Sequence, residues 1–406
     1  MRRYTDDPTL LDHALETLLE RGAGACLSPA VTLSRHWLER PDTLALAPHY
    51  QVVEDGLGLR ISARLEHHQI LLDQPVLLEP AFVPKPWGQE IWFTGIEARG
   101  ESQVVTAAGR LPLSQYLSLA PRRLCRNAPL VLLKVLDPKH EPVLGDLYFE
   151  LHEEKQEVYV VTRVDPAAWP DGVGRMRFGM NQDLRARYRG DDAGFRHDYL
   201  EAVQAYERVR RAIDAGEPVA AEQEAQLRAA MDAFSALRDL RVGDVVTVPI
   251  RLPHSLQHGV RVIEFQTPTY ERHIISFAQR VLSQDHWDTA IAVQRMRLDA
   301  PPLASFERLA PGLERIVAFS DFRVWRLTLQ PGATFVLPPH PSYALCMVVQ
   351  GCVALGPVTL APEQAAFVPA AALATERRRH SQARLVNHSD DPNSAPAVVL
   401  IAAPDL

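Results

Sequence analysis

From about residue 75 onwards the chain is a succession of short β-type runs broken by proline, glycine and aspartate, among them "LVLLKVLD", "EVYVVTRV", "DVVTVPIRL" and "RVIEFQT". Proline offers no backbone N–H and is tolerated only at strand edges and turns, so such runs stop at strand length and must pair to bury their apolar faces. A helix-dominated architecture is excluded for this part. One region differs: residues 195–240 are rich in Ala, Glu, Arg and Leu with a period near 3.6. They predict two helices, interrupted at Ala215-Gly216-Glu217-Pro218, inserted between strands. Apolar positions Leu10, Leu11, Ala14, Leu15, Leu18 and Leu19 predict a further helix within residues 4–21, begun at Asp6-Asp7-Pro8. "YQVVEDGLGLRISARLEHHQILL" reads as strands around a glycine turn. After residue 300, "FRVWRLTL", "YALCMVVQGCVAL" and "APAVVLIAA" read as strands of a second small barrel or sandwich. The expected organisation is an N-terminal extension over 1–74, a main β domain over 75–300 and a C-terminal β domain over 301–406.

A chain of 406 residues, 47% of them hydrophobic, can bury large cores. Its formal charge of −7 gives no reason to expect a nucleic-acid or anionic-membrane partner. No apolar run approaches the roughly 18 residues of a membrane span, and the N-terminus lacks the apolar core of a signal peptide. Cys26, Cys125, Cys346 and Cys352 form no C-x-x-C pair and read as reduced. The cytoplasm is the expected compartment.

The stretch "GDLYFELHEEKQEVYVV", residues 145–161, carries the chemistry. Alternate strand residues share a face, so Glu150 and His152 point the same way. Glu153-Glu154-Lys155-Gln156 can turn the chain, so that Glu157 opens an antiparallel neighbour beside His152. Two carboxylates and an imidazole are costly to desolvate together unless a cation joins them, and a divalent metal uses all their lone pairs. A fourth ligand is His254, read as ending a strand that starts from the Gly243-Asp244 turn, in the pattern G-x5-P-x3-P-H. The alternative is that Glu150 and Glu157 are solvated edge residues and His254 a loop residue.

The two segments resemble the paired metal motifs of the cupin barrel, usually H-x-H-x(3,4)-E and G-x5-P-x-G-x2-H; here the first reads E-x-H-x4-E, and Arg251 stands at the inner glycine. "PVLLEPAFVPKPWGQEIW", residues 75–92, resembles the opening of type I mannose-6-phosphate isomerases, L-x-P-x-F-x-x-K-P-W-G-G, through Lys85, Pro86, Trp87 and Gly88. "APLVLLKVLDPK" resembles their P-L-L-x-K-x-L-D-A segment, with Lys134 in register. Their Q-x-H and K-x-E become Glu150-Leu151-His152 and Lys155-Gln156-Glu157. His254 falls on their last zinc ligand. "IEFQTPTYERH" resembles E-x-Q-x-x-S-D-x-T-Y-R, with Glu264 matched and Arg272 one place late. The H-P-D-D continuation after His152 and the S-D pair before Thr269-Tyr270 are missing.

The resemblance implies a mainly β fold: a cupin (jelly-roll) barrel with a helical insertion and a second, degenerate cupin-like barrel in which His340 has no H-x-H partner. It implies a metal held by Glu150, His152, Glu157 and His254, Zn²⁺ or another divalent ion such as Mn²⁺ or Fe²⁺. The implied reaction interconverts mannose 6-phosphate and fructose 6-phosphate through an enediolate, with a small-molecule sugar phosphate as partner, no nucleic acid or membrane, and the oligomeric state left open. Glu264 is the candidate base, and Arg272 the holder of the intermediate's oxygens. Lys155 is a candidate proton relay, its alternative being a solvated turn lysine. Lys134, Arg251 and Tyr270 are candidate substrate contacts. The run Arg175, Arg177, Arg185, Arg187, Arg189 reads as a solvated basic face, and His258 as a loop histidine. Competing readings are another metal-dependent cupin, either a free-sugar isomerase or an oxygenase, and an inactive sugar-binding cupin.

Overall fold

The computed structural model describes residues 8–282, 284–374, 383–389, 391 and 393–405. It is mainly β and divides into two compact units, one built from residues 83–91 and 134–304, the other from 1–82, 92–133 and 305–406. Residues 8–74 thus share a unit with the C-terminal strands, and Val76–Glu79 pairs directly with Ala365–Val368. That second unit carries a nine-stranded antiparallel sheet over a core that includes Leu327, Cys346, Val348, Leu355, Leu385 and Val399. The helix predicted within residues 4–21 is described over Pro8–Glu20, and its expected start at Asp6-Asp7 lies outside the described residues. No described helix is long and apolar enough to cross a membrane.

The unit of residues 83–91 and 134–304 holds the candidate site and is a two-sheet jelly roll. One sheet orders its strands as Val245–Val248, Glu157–Val164, Val260–Gln266, Leu132–Pro138, Gly88–Trp92 and Ala81–Lys85. The other runs Ser235–Leu240, Gly174–Met180, His254–Leu256, Phe149–Leu151 and His273–Ser276. The inner faces meet in a core of Trp87, Tyr148, Tyr159, Phe178, Val246, Leu256, Val262 and Ile274, as expected where two sheets interdigitate alternate residues. Gly88 sits where a Cβ would come within 2.2 Å of Asp137 O, so only glycine lets these two strands approach.

Two expectations about connectivity are corrected. Glu157 does not open a neighbour of the Glu150 strand: Phe149–Leu151 pairs with His254–Leu256 and His273–Ser276, whereas Glu157–Val164 pairs with Val245–Val248 and Val260–Gln266. Residues 152–156 carry the chain from one sheet to the other. His254 does not end the strand begun near Gly243. That strand stops at Val248, Pro249 and Pro253 bracket a loop, and His254 opens a strand in the opposite sheet. Prolines without N–H groups cannot continue the ladder, so the chain crosses over.

The helical insertion forms as Asp192–Asp214 and Ala221–Asp232, interrupted where the sequence places the break, while its last residues become the strand Ser235–Leu240. Phe195, Tyr199, Val203 and Tyr206 recur at helical spacing and bury one face of the first helix against Ile275, Val293 and Met296.

Candidate metal centre

Because the two sheets face each other, residues from the ends of three strands meet at one buried point. The ligand atoms of Glu150, His152 and His254 all lie within 4.8 Å of one another. Glu157 links the imidazoles from the opposite sheet: its Oε1 is 3.3 Å from His152 Nε2 and its Oε2 is 3.1 Å from His254 Nε2. His152, Glu157 and His254 are each at most 3% exposed. Bonds of about 2.0–2.1 Å in a tetrahedral shell separate neighbouring ligand atoms by about 3.3 Å, which is the spacing found between Glu157 and the imidazoles.

The imidazoles are held so that their Nε2 lone pairs converge. His152 Nδ1 lies 2.9 Å from Glu271 O, and His254 Nδ1 lies 2.9 Å from Leu252 O. A carbonyl only accepts, so each Nδ1 carries the hydrogen and each Nε2 is left as a ligand. Two such nitrogens facing a carboxylate need a proton or a cation between them. His152 Nε2 and Glu150 Oε2 are buried without a hydrogen bond among the described residues. Both facts fit a divalent cation, and a mixed imidazole–carboxylate set suits zinc, manganese or iron. Burial and the Lys155 charge lower the His152 pKa, with Glu157 and Glu150 opposing. Burial also acts against the His254 cation, but Glu157 outweighs it and raises that pKa.

Around this point the charges alternate. Burial alone would raise the Glu157 pKa, yet Lys155, 2.6 Å away, and the two imidazoles hold it well below the usual range. The Tyr159 hydroxyl donates to Glu157 Oε2 at 2.6 Å. Lys155 is therefore no solvated turn residue: it is 9% exposed and aimed at the centre. Glu264 lies opposite Tyr159 in the neighbouring strand and is 2% exposed. Burial pushes its pKa up to about 8, Lys134 pulling it down and Glu157 pushing it further up. Lys134 Nζ stands 3.2 Å from Glu264 Oε2 and 3.8 Å from Glu90 Oε2, and Lys85 Nζ lies 3.3 Å from Glu90 Oε1. Burial would lower the Lys134 pKa, but Glu264, Glu90 and Glu157 together raise it.

Arg272 is brought to the site despite its late position in the sequence. Its Nη1 is 3.6 Å from Glu150 Oε2, and its guanidinium lies over Tyr148 at 4.6 Å and Tyr270 at 6.0 Å. Tyr270 is 66% exposed and Arg251 keeps a 52% exposed side chain, near Glu153 at 3.6 Å, so both belong to the rim rather than the buried centre. His258 pairs with Asp146 and stacks on Trp169, apart from the ligands. Arg175, Arg177 and Arg185 pair with Asp239, Asp232 and Asp192 within the chain. Sequence reasoning missed Glu90, Tyr148, Tyr159 and Glu271. Glu90 and Tyr159 each follow a recognised motif by two residues, the spacing that returns a side chain to one face.

Fold and site together define a cupin-type β fold whose Glu150, His152 and His254 are spaced so that they could hold a metal ion. No family model matches the sequence, and no curated protein does. Solved structures share the fold. Mannose 6-phosphate isomerase from Bacillus subtilis superposes with a TM-score of 0.55 at 15% identity, over 81% of this chain and 99% of that one. The apo mannose 6-phosphate isomerase from Salmonella typhimurium gives 0.54 at 12%, over 82% and 100%. A mannose 6-phosphate isomerase bound with zinc and yttrium gives 0.55 at 11%, over the same shares. The chain thus has the fold of these sugar isomerases.

Proposed function

We propose that this chain is a metal-dependent aldose–ketose isomerase acting on a hexose phosphate, with mannose 6-phosphate and fructose 6-phosphate as the substrate pair. The observation that carries the reading is the convergence of Glu150, His152, Glu157 and His254 beside a buried carboxyl, Glu264, whose pKa is pushed up to about 8. Glu150, His152, Glu157 and His254 would hold the cation, which when bound supplies Lewis acidity toward the sugar's oxygens. The Glu264 carboxylate takes the proton from C2 and returns it to C1, while the O2 hydroxyl proton passes to O1 with Lys155 as the candidate relay, and a base with a pKa near working pH suits both directions. Lys134 keeps Glu264 oriented and partly ionised. Lys155, held on Glu157, offers N–H groups to the developing oxyanion. Arg272, held on the Tyr148 ring, presents its planar donor fork beside Glu150. Arg251 and Tyr270, exposed at the rim, are the candidate contacts for the substrate's phosphate end.

The test is a coupled assay with mannose 6-phosphate on zinc-loaded protein, on chelated protein and on His152→Ala. Turnover by the first alone supports the proposal; equal turnover by all three removes it. One observation favours a second reading. Lys155 and Tyr159 occupy Glu157, and the remaining Glu150, His152 and His254 form a two-histidine, one-carboxylate set of the kind that suits iron(II) oxygenases. Oxygen uptake by iron-loaded protein without isomerase turnover would select that reading.

A further inference from the structure

Residue 271, the one that sets Arg272 a place late, does more than lengthen a loop. The Glu271 Oε2 atom accepts the backbone N–H of Glu153 at 2.9 Å and that of Glu154 at 3.2 Å. The Glu271 carbonyl accepts the Nδ1–H of His152. Glu271 Oε1 is buried without a hydrogen bond among the described residues, 3.7 Å from His273 Nε2. At the far end of the same turn, Gln156 N donates to Thr267 Oγ1 at 3.1 Å, and Thr267 N donates to Gln156 O at 3.0 Å. The crossover from His152 to Glu157 is therefore gripped at both ends by the loop 267–272. A second ring tightens the near end: Glu153 meets His273 at 2.9 Å and Arg295, and Arg251 N donates to His152 O at 2.5 Å.

Each grip acts on a group the centre needs. The Glu271 carbonyl fixes which imidazole nitrogen of His152 carries the hydrogen. The carboxylate, by binding two successive N–H groups, fixes the turn that delivers Lys155 to Glu157. We propose that Glu271 is a positioning residue of the metal centre, its side chain locking the 153–156 turn and so holding its own carbonyl against His152 Nδ1. The inference rests on the metal-centre reading but makes a claim about the metal-free protein as well.

The experiment compares wild type, Glu271→Ala, Glu271→Gln and Glu271→Asp as full chains. Zinc affinity is measured by competition with a chromophoric chelator. The His152 tautomer is read in metal-free protein by imidazole nitrogen NMR with labelled histidine, His152→Ala giving the assignment. Wild type should hold His152 as the Nδ1–H form. Glu271→Ala should bind zinc about 10–100-fold more weakly and let the tautomers mix, at an unfolding temperature that shows it folded. Glu271→Gln keeps an accepting oxygen and should stay within a few-fold of wild type. Glu271→Asp keeps the charge but withdraws the oxygen, and should behave as the alanine variant should that one not fold. Wild-type zinc affinity and a fixed tautomer in Glu271→Ala or Glu271→Asp overturn the proposal. If wild type itself binds no zinc, the metal reading fails, and the tautomer still decides the role of Glu271.

Discussion

Replacing Lys134 by methionine removes the cation between Glu264 and Glu90 while keeping most of the side chain's volume. At an effective dielectric constant near 20, pairs at 3.2 and 3.8 Å attract by about 5 and about 4 kcal/mol, the first of them only once Glu264 is ionised. The desolvation regained by losing a buried ammonium offsets part of this, and breaking such a pair from one side typically costs about 3–5 kcal/mol. The pH dependence is the sharper signature. Glu264 ionises near pH 8 because Lys134 opposes the effect of burial; without the lysine it keeps its proton to higher pH. Between those two pKa values the folded variant binds a proton that the folded wild type has lost. Its stability relative to wild type therefore falls with rising pH, by up to about 1.4 kcal/mol per unit. The destabilisation should be level below about pH 7 and larger by about 2 kcal/mol at pH 9.5. Urea unfolding of chelated protein, followed by tryptophan fluorescence at pH 6.5 and 9.5, measures it. In a Glu264→Gln background the lysine replacement should cost the same at both pH values. Equal destabilisation of the single variant at both, or undiminished growth in the glutamine background, would refute the assignment of Glu264 as the titrating partner.

Other expectations follow from the same geometry. His254→Ala should reduce bound zinc from about one ion per chain to a small fraction under matched dialysis, measured by elemental analysis, since one of the converging nitrogens is lost. Glu264→Gln should lower kcat on mannose 6-phosphate by about 10²–10⁴-fold with KM little changed, and the limb of the pH–rate profile near pH 8 should disappear. Arg272→Lys keeps the charge but loses the flat stack on Tyr148, and steady-state kinetics should show a fall in kcat/KM of at least about tenfold. Gly88→Ala should destabilise the protein by more than about 1 kcal/mol in urea unfolding, because its methyl group would press on the Asp137 carbonyl.

Local order was legible over residues 145–152, because alternation decides which side chains share a face; over 243–254 it was misread, since the strand stops at Val248 and His254 opens another in the opposite sheet. Alternation brought out Glu150 and His152, Glu157 and His254 came from motif spacing with their strands misplaced, and the helical period of 195–214 brought out the insertion. Alternation could not assign Phe149–Leu151 and Glu157–Val164 to opposite sheets. Periodicity fixes a face but not the strand it will pair with, and a short turn serves a hairpin or a crossover equally well.

The amino-acid sequence by itself determined the β character and the identity of the four converging side chains. Only the tertiary structure decided that Lys134, 130 positions before Glu264 in the chain, would be its counter-charge, that Lys155 would be buried on Glu157, and that Glu271 would grip the turn behind His152. It also decided that residues 8–74 join the C-terminal strands in one unit. The physical reason is the same in each case. Charge pairing and desolvation depend on distances through space, and those are set by the order of strands across a sheet, which nearest neighbours along the chain do not encode.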